Sequence, residues 1–132
     1  MTQRKTIEEL NTLTEKVIGA AIHVHRELGP GLLENVYSEC LAVELKDCGL
    51  NAVREVAIPL VYKNIKVENA YRLDFIVDEA LIIECKATEQ LLPIHSAQVL
   101  TYLRLTDKKL GLLINFNVEV LHKGIKRIAN GF

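Results

Sequence analysis

The sequence predicts an α/β fold, a mixed central β-sheet flanked by α-helices, in a single domain over residues 1–132. Three observations predict it. Helical periodicity, strand-like alternation, a further helical segment and a short apolar run follow one another as αα, β meander, α, β, an order that stacks helices against a sheet. The strand–helix–strand stretch from Leu81 to Phe116 is long enough for a right-handed crossover, which adds a parallel pair to the meander. At 132 residues and 49% hydrophobic, the chain can bury about two-thirds of its unfolded surface. No linker, low-complexity stretch or repeat divides it.

Thr6 and Glu9 form a T-x-x-E capping box ahead of Leu10, Leu13, Val17, Ala21, Val24 and Leu28 at helical spacing, so the first helix runs from about Ile7 to Leu28. Gly29, Pro30 and Gly31 stop it. A second helix runs from near Leu33 to Cys48, with Gly49 as its C-terminal cap. A β-like stretch follows from Ala52 to Val67, turning at Lys63 and Asn64, and then a hairpin from Asp74 to Ala87. Pro93 introduces a third helix over about Ile94–Leu105. The run LGLLINF, Leu110–Phe116, suits a buried strand, and a strand or turn around Gly124–Ile128 completes the domain.

The hairpin carries the chemistry. Alternation places Leu73, Phe75 and Val77 on one face of its first strand and Arg72, Asp74 and Ile76 on the other. On the second strand Leu81, Ile83, Cys85 and Ala87 oppose Ile82, Glu84 and Lys86. A three-residue turn at Asp78, Glu79 and Ala80 pairs Val77 with Leu81, and that register sets Asp74 opposite Glu84. Like charges on side chains whose Cβ atoms are roughly 5 Å apart destabilise a sheet. A shared proton, a basic neighbour or a hard divalent cation would compensate. Lys86 points the same way as Glu84, about 7 Å further along the strand, too far to neutralise the pair by contact but near enough to touch a substrate. The carbonyl of Cys85, between them, is a further candidate ligand. Charges on a strand ordinarily mark a solvated face, yet both strands are rich in aliphatic residues and belong inside a sheet.

Composition narrows the field. Cys40, Cys48 and Cys85 are odd in number and lack a CxxC spacing, against a disulfide framework or structural zinc site; they read as small buried hydrophobes. The polar start MTQRKTIEEL is unlike a signal peptide and no apolar run approaches a membrane span, so a cytoplasmic protein that does not enter membranes is expected. The net charge of −1 gives little general attraction to nucleic acid, but it is unevenly spread. Residues 1–100 carry ten Lys and Arg against fifteen Asp and Glu, and residues 101–132 six against two. Arg104, Lys108, Lys109, Lys123, Lys126 and Arg127 could form a basic flank. A retaining glycosidase would also use paired carboxyls, but aromatic residues are 5% of the chain with no tryptophan, and that chemistry gives Lys86 no task.

Two further strings complete the pattern. Gly31, Glu34 and Tyr37 recur every third residue at the start of the second helix, and Gln98 and Tyr102 are an i, i+4 pair on the third. With GxxExxY at Gly31, Glu34 and Tyr37, D…ExK at Asp74, Glu84 and Lys86, and QxxxY at Gln98 and Tyr102, the chain resembles the GxxExxY family of the PD-(D/E)XK nuclease-like superfamily over nearly its whole length. The resemblance implies a restriction-endonuclease-like core in which Asp74 and Glu84 bind Mg²⁺ or Mn²⁺ and Lys86 assists hydrolysis of a phosphodiester. It makes Glu34 an additional acidic ligand or a water-positioning group, and gives Gln98, Tyr102 and Tyr37 substrate contact or support of the site. Some relatives use a helix histidine as ligand, which makes His25 a candidate. The superfamily's proline before the aspartate is Leu73 here. The implied partner is nucleic acid, DNA in preference to RNA, with a homodimer or a targeting protein to assist so small a chain. The alternative is a non-catalytic nucleic-acid-binding or protein-interaction module that keeps the nuclease fold.

Overall fold

The computed structural model describes residues 4–131. The elements are α1 (Ile7–Leu28), α2 (Glu34–Asp47), β1 (Ala52–Tyr62), β2 (Ile65–Val77), β3 (Leu81–Lys86), α3 (Pro93–Thr106), β4 (Leu110–Asn115), a 3₁₀ turn at Leu121–Gly124, and β5 (Ile125–Ala129). The five strands lie in the sheet in chain order. β3 and β4 are parallel and every other neighbouring pair is antiparallel, so the α3 crossover produces the expected mixed sheet.

Local chemistry accounts for the helix ends. At the start of α1 the Thr6 N–H donates to Glu9 Oε1 at 2.9 Å and the Glu9 N–H to Thr6 Oγ1 at 3.1 Å, satisfying two donors that lack a helical partner. α2 ends in a Schellman arrangement: Leu50 N–H donates to Leu45 O at 3.1 Å, Gly49 N–H to Lys46 O at 2.9 Å, and Gly49 takes φ +77°.

The sheet is covered on both faces, giving two apolar cores. Leu10, Leu13, Val17, Ala21 and Val24 of α1, with Tyr37, Leu41 and Leu45 of α2, pack on Phe75, Val77, Leu81, Ile83, Cys85, Leu112 and Ile114. On the other face Val99, Tyr102 and Leu103 of α3 meet Ile58, Leu73, Ile82 and Leu113. Gly111 on β4 permits that approach, since a Cβ there would lie 2.7 Å from Val99 Cγ1.

Three expectations are corrected. Leu73 does not share a face with Phe75 and Val77; it joins the α3-side core. The cause is an irregularity at Glu55, which has φ +52° and lies between the pairs Arg54–Phe75 and Val56–Leu73, where Asp74 would otherwise pair with it. β2 is also one thirteen-residue strand, where the sequence suggested an extended stretch ending at Val67 and a separate hairpin from Asp74. The register shift between Ile58 and Leu60, with Asn69 at φ +45°, absorbs the residues between. Finally, Cys85 is buried, but Cys40 is intermediate and Cys48, at the end of α2, is exposed. No helix among the described residues is long and apolar enough to cross a membrane.

Candidate active site

The β2–β3 ladder runs through Val77–Leu81, Ile76–Ile82 and Phe75–Ile83, then stops. The turn at residues 78–80 fixes that register, and the next positions are Asp74 and Glu84. Here side chains replace the ladder. The Asp74 N–H donates to Glu84 Oε1 at 2.9 Å, and the Cys85 N–H donates to Asp74 Oδ2 at 2.8 Å. Each strand's carboxylate accepts from the other strand's main chain, which satisfies two part-buried amides as the strands part. Among the described residues, Asp74 Oδ1 and Glu84 Oε2 are left without a hydrogen-bond donor from the protein.

Burial makes this pair costly to ionise. Glu84 is only 6% exposed. Its carboxyl is pushed up to about 8, first by burial and then by the Asp74 charge, against the pull of the Asp74 N–H and Lys86. Asp74 is also raised by burial, with the Cys85 N–H, Lys86 and Arg54 opposing. Two carboxyls so placed share a titration, and together they hold a proton well above the ordinary carboxylate range.

Lys86 is the last residue of β3 and half-buried. It takes part in none of the ion pairs among the described residues, yet its charge acts on Glu34, Asp74 and Glu84 alike. Glu34 opens α2 and is exposed; burial of its carboxyl group raises it, Lys86 lowers it, and the Asp74 charge raises it further. Tyr102 is 8% exposed, stands edge-on to Tyr71 with ring centroids 5.5 Å apart, and is pushed up to about 12 by burial and by the charges of Glu84 and Asp74. Helices α2 and α3 therefore both bring residues to the carboxylates.

The other candidates are placed differently. Gln98, one turn before Tyr102, is exposed. Tyr37 is fully buried and stacked on Phe116 at 4.6 Å; its hydroxyl donates to Gly29 O at 2.5 Å and accepts from Leu32 N–H at 3.1 Å. It thus fastens the glycine-rich loop that delivers Glu34. The Cys85 thiol lies in the α1/α2-side core. His25 is buried, with Nε2 at 2.7 Å from the Val118 carbonyl, and it is not among the charges acting on Asp74, Glu84 or Glu34.

Sequence reasoning missed several neighbours. A cavity of about 200 Å³ beside Asp74 is lined by Glu34, Asn35, Ser38, Arg54 and Glu55. Arg54 lies over the Phe75 ring, 5.6 Å from its centroid, and pairs with Glu39 at 3.1 Å. Its presence at Asp74 follows from the β1–β2 register, which the turn at Lys63 and Asn64 starts but the irregularities at Ile58/Leu60 and Glu55 then shift. His95 also acts on Glu34, and its Nδ1 accepts the Leu92 N–H at 3.0 Å; its place three residues into α3 was the available signal. A larger cleft of about 700 Å³, between the start of α1 and the turns at residues 78–80 and 106–109, lies at the other end of β3.

Two carboxylates, each with one oxygen free of protein donors, offer an all-oxygen donor set. That suits a hard cation such as Mg²⁺, which is commonly held by one or two carboxylates and keeps much of its water. Among the described residues no group of three or more His, Cys, Asp and Glu side chains is arranged to hold a metal. A cation held by the two carboxylates would take its remaining ligands from water and substrate.

Comparison with curated proteins and with solved structures gives no match. The family model described as PD-(D/E)XK nuclease superfamily matches residues 11–128. That span contains α2, α3, β1 to β4 and the parted hairpin entire, with most of α1 and all of β5 but Ala129. The mixed five-stranded sheet flanked by three helices is the restriction-endonuclease-like architecture, and the chain belongs to the PD-(D/E)XK nuclease superfamily.

Proposed function

We propose that the protein is a divalent-metal-dependent nuclease that hydrolyses phosphodiester bonds of DNA. The observation that carries this reading is the reciprocal clasp at Asp74 and Glu84, where a half-buried and a buried carboxylate confront each other with oxygens to spare and Lys86 stands two residues from Glu84 on the same strand. Asp74, Glu84 and the Cys85 carbonyl would hold the cation. A bound Mg²⁺ or Mn²⁺ supplies Lewis acidity toward the phosphoryl group and toward water.

The chain's own residues do the rest. Lys86 orients the attacking water and offsets negative charge that develops on the phosphoryl oxygens. Glu34, on the exposed side, adds an acidic ligand or positions that water. Gln98, exposed on α3, contacts the substrate backbone, while Tyr102 supports the carboxylate wall and Tyr37 the loop before Glu34. The strings at Gly31, Glu34 and Tyr37 favour the GxxExxY branch of the superfamily. Action on DNA in the cytoplasm, as a homodimer or with a targeting partner, fits the chain's modest size and charge.

The test is cleavage of labelled single-stranded and duplex DNA by purified protein in Mg²⁺, Mn²⁺ or EDTA, beside Lys86→Ala and Glu84→Ala. Metal-dependent cutting that falls to a small residual rate in both variants is expected. Equal inertness of all three proteins would overturn the catalytic reading and leave a nucleic-acid-binding or interaction module on the nuclease fold.

A further inference from the structure

Asn115 is the last residue of β4 and pairs with Lys86 across the parallel ladder. It is 2% exposed, a position where an amide is costly unless its groups are bonded. Its side chain is well satisfied. Oδ1 accepts the Thr88 N–H at 3.1 Å and the Asn117 N–H at 3.2 Å, and Nδ2 donates to the Thr88 carbonyl at 2.9 Å. Two main-chain donors at one atom and a main-chain acceptor at the other allow a single orientation of the amide.

These bonds fall where β3 would otherwise fray. Lys86 closes the strand and the chain then leaves the sheet through Ala87 and Thr88. The Phe116 N–H donates to the Lys86 carbonyl at 2.9 Å, and two residues later the Asn115 amide grips Thr88 by both its N–H and its C=O. Beyond that point, Thr88 Oγ1 accepts from the Gln90 N–H at 3.2 Å. The main chain is thus held at the Lys86 carbonyl and again at Thr88, directly after the Cα from which the Lys86 side chain leaves. No carboxylate among the described residues anchors the Lys86 ammonium in an ion pair, so its aim depends on its backbone.

We infer that Asn115 is a positioning residue for the reaction, holding Lys86 in register with the Asp74–Glu84 pair by clamping the main chain at Thr88. This deepens the proposed function and rests on the role given there to Lys86. It assigns Asn115 no contact with substrate or cation. Displacing a reacting group by about 1 Å can cost on the order of a hundredfold in rate.

The experiment compares single-turnover DNA cleavage, DNA affinity and Mn²⁺ affinity for wild type, Asn115→Ala and Asn115→Asp, with urea unfolding to confirm cooperative folding. Asn115→Asp keeps the acceptor for Thr88 and Asn117 but turns an acceptor oxygen toward the Thr88 carbonyl, so it breaks one side of the clamp, retains the other, and gives a second reading beside the alanine variant. The expected result is a rate lowered about 10- to 100-fold at saturating DNA, with DNA and Mn²⁺ affinities within about threefold of wild type. In a Lys86→Ala background the Asn115 change should lower the residual rate no further, because the two residues act as one unit. An unchanged rate overturns the inference, as does a parallel fall in Mn²⁺ affinity or an equal loss in both backgrounds. An inert wild type removes the proposed function itself, an outcome distinct from active wild type with active Asn115 variants.

Discussion

Replacing Glu84 by glutamine should make the metal-free protein more stable at alkaline pH while removing its activity. Glu84 is buried, and its carboxyl is raised from 4.5 to about 8, chiefly by burial and then by Asp74. A carboxyl whose pKa is raised on folding contributes fully below its unfolded pKa, and that contribution is lost as pH rises through the folded value. The window therefore opens near 4.5 and closes near 8. At about 1.4 kcal/mol per tenfold change in proton affinity, the upper bound is on the order of 5 kcal/mol. Coupling to Asp74 divides the effect between the two groups, so about 2–4 kcal/mol is expected from Glu84. Glutamine keeps an oxygen to accept the Asp74 N–H, which wild type bonds at 2.9 Å, and it cannot ionise. Urea unfolding in EDTA and reductant, at about pH 5 and about pH 8.5, reads the difference between variant and wild type. That difference should move in favour of the variant by the stated amount, and added Mg²⁺ should restore wild type alone. Parallel pH profiles within about 0.5 kcal/mol would show that the carboxyl carries no such burden.

Two other substitutions test the framework that holds the site. Gly124→Ala would bring its Cβ to 2.2 Å from the Asn115 carbonyl oxygen; since backbone cannot yield as a side chain can, about 3 kcal/mol or more should be lost in urea unfolding. A loss under about 1 kcal/mol would refute that packing. Tyr37→Phe removes the hydroxyl that bonds Gly29 O and Leu32 N–H and should cost about 1–3 kcal/mol. Its cleavage rate per folded molecule should fall less than that of Lys86→Ala; equal falls would give Tyr37 a direct part in the chemistry.

The extent to which the sequence revealed this arrangement follows from the range of the forces involved. α1 was legible from Ile7 to Leu28 because a local capping box and helical periodicity define it. The meeting of Asp74 and Glu84 was legible because a three-residue turn sets the β2–β3 register within a few residues of the site. The exchange of ladder bonds for carboxylate bonds at that point was not, since alternation describes where side chains face and not where strands part. β1 hid its contribution for a similar reason: the shift near Pro59 and the left-handed Glu55 determine which β1 residues flank Asp74, and neither carries a glycine to mark it. Asn115 lay in plain view within LGLLINF, but its hydrogen bonds to Thr88 span 27 residues of chain. For His95 the one signal was its place in the first turn of α3, which any ordinary helix start shares.

The most direct test of the central claim, that the parting strands make a cation site of Asp74 and Glu84, is calorimetric titration of Mn²⁺ into wild type, Asp74→Asn and Glu84→Gln at pH near 8. Wild type should bind, and each variant should lose more than about tenfold in affinity while still unfolding cooperatively. Equal affinity in all three proteins, or no binding by wild type, would contradict it.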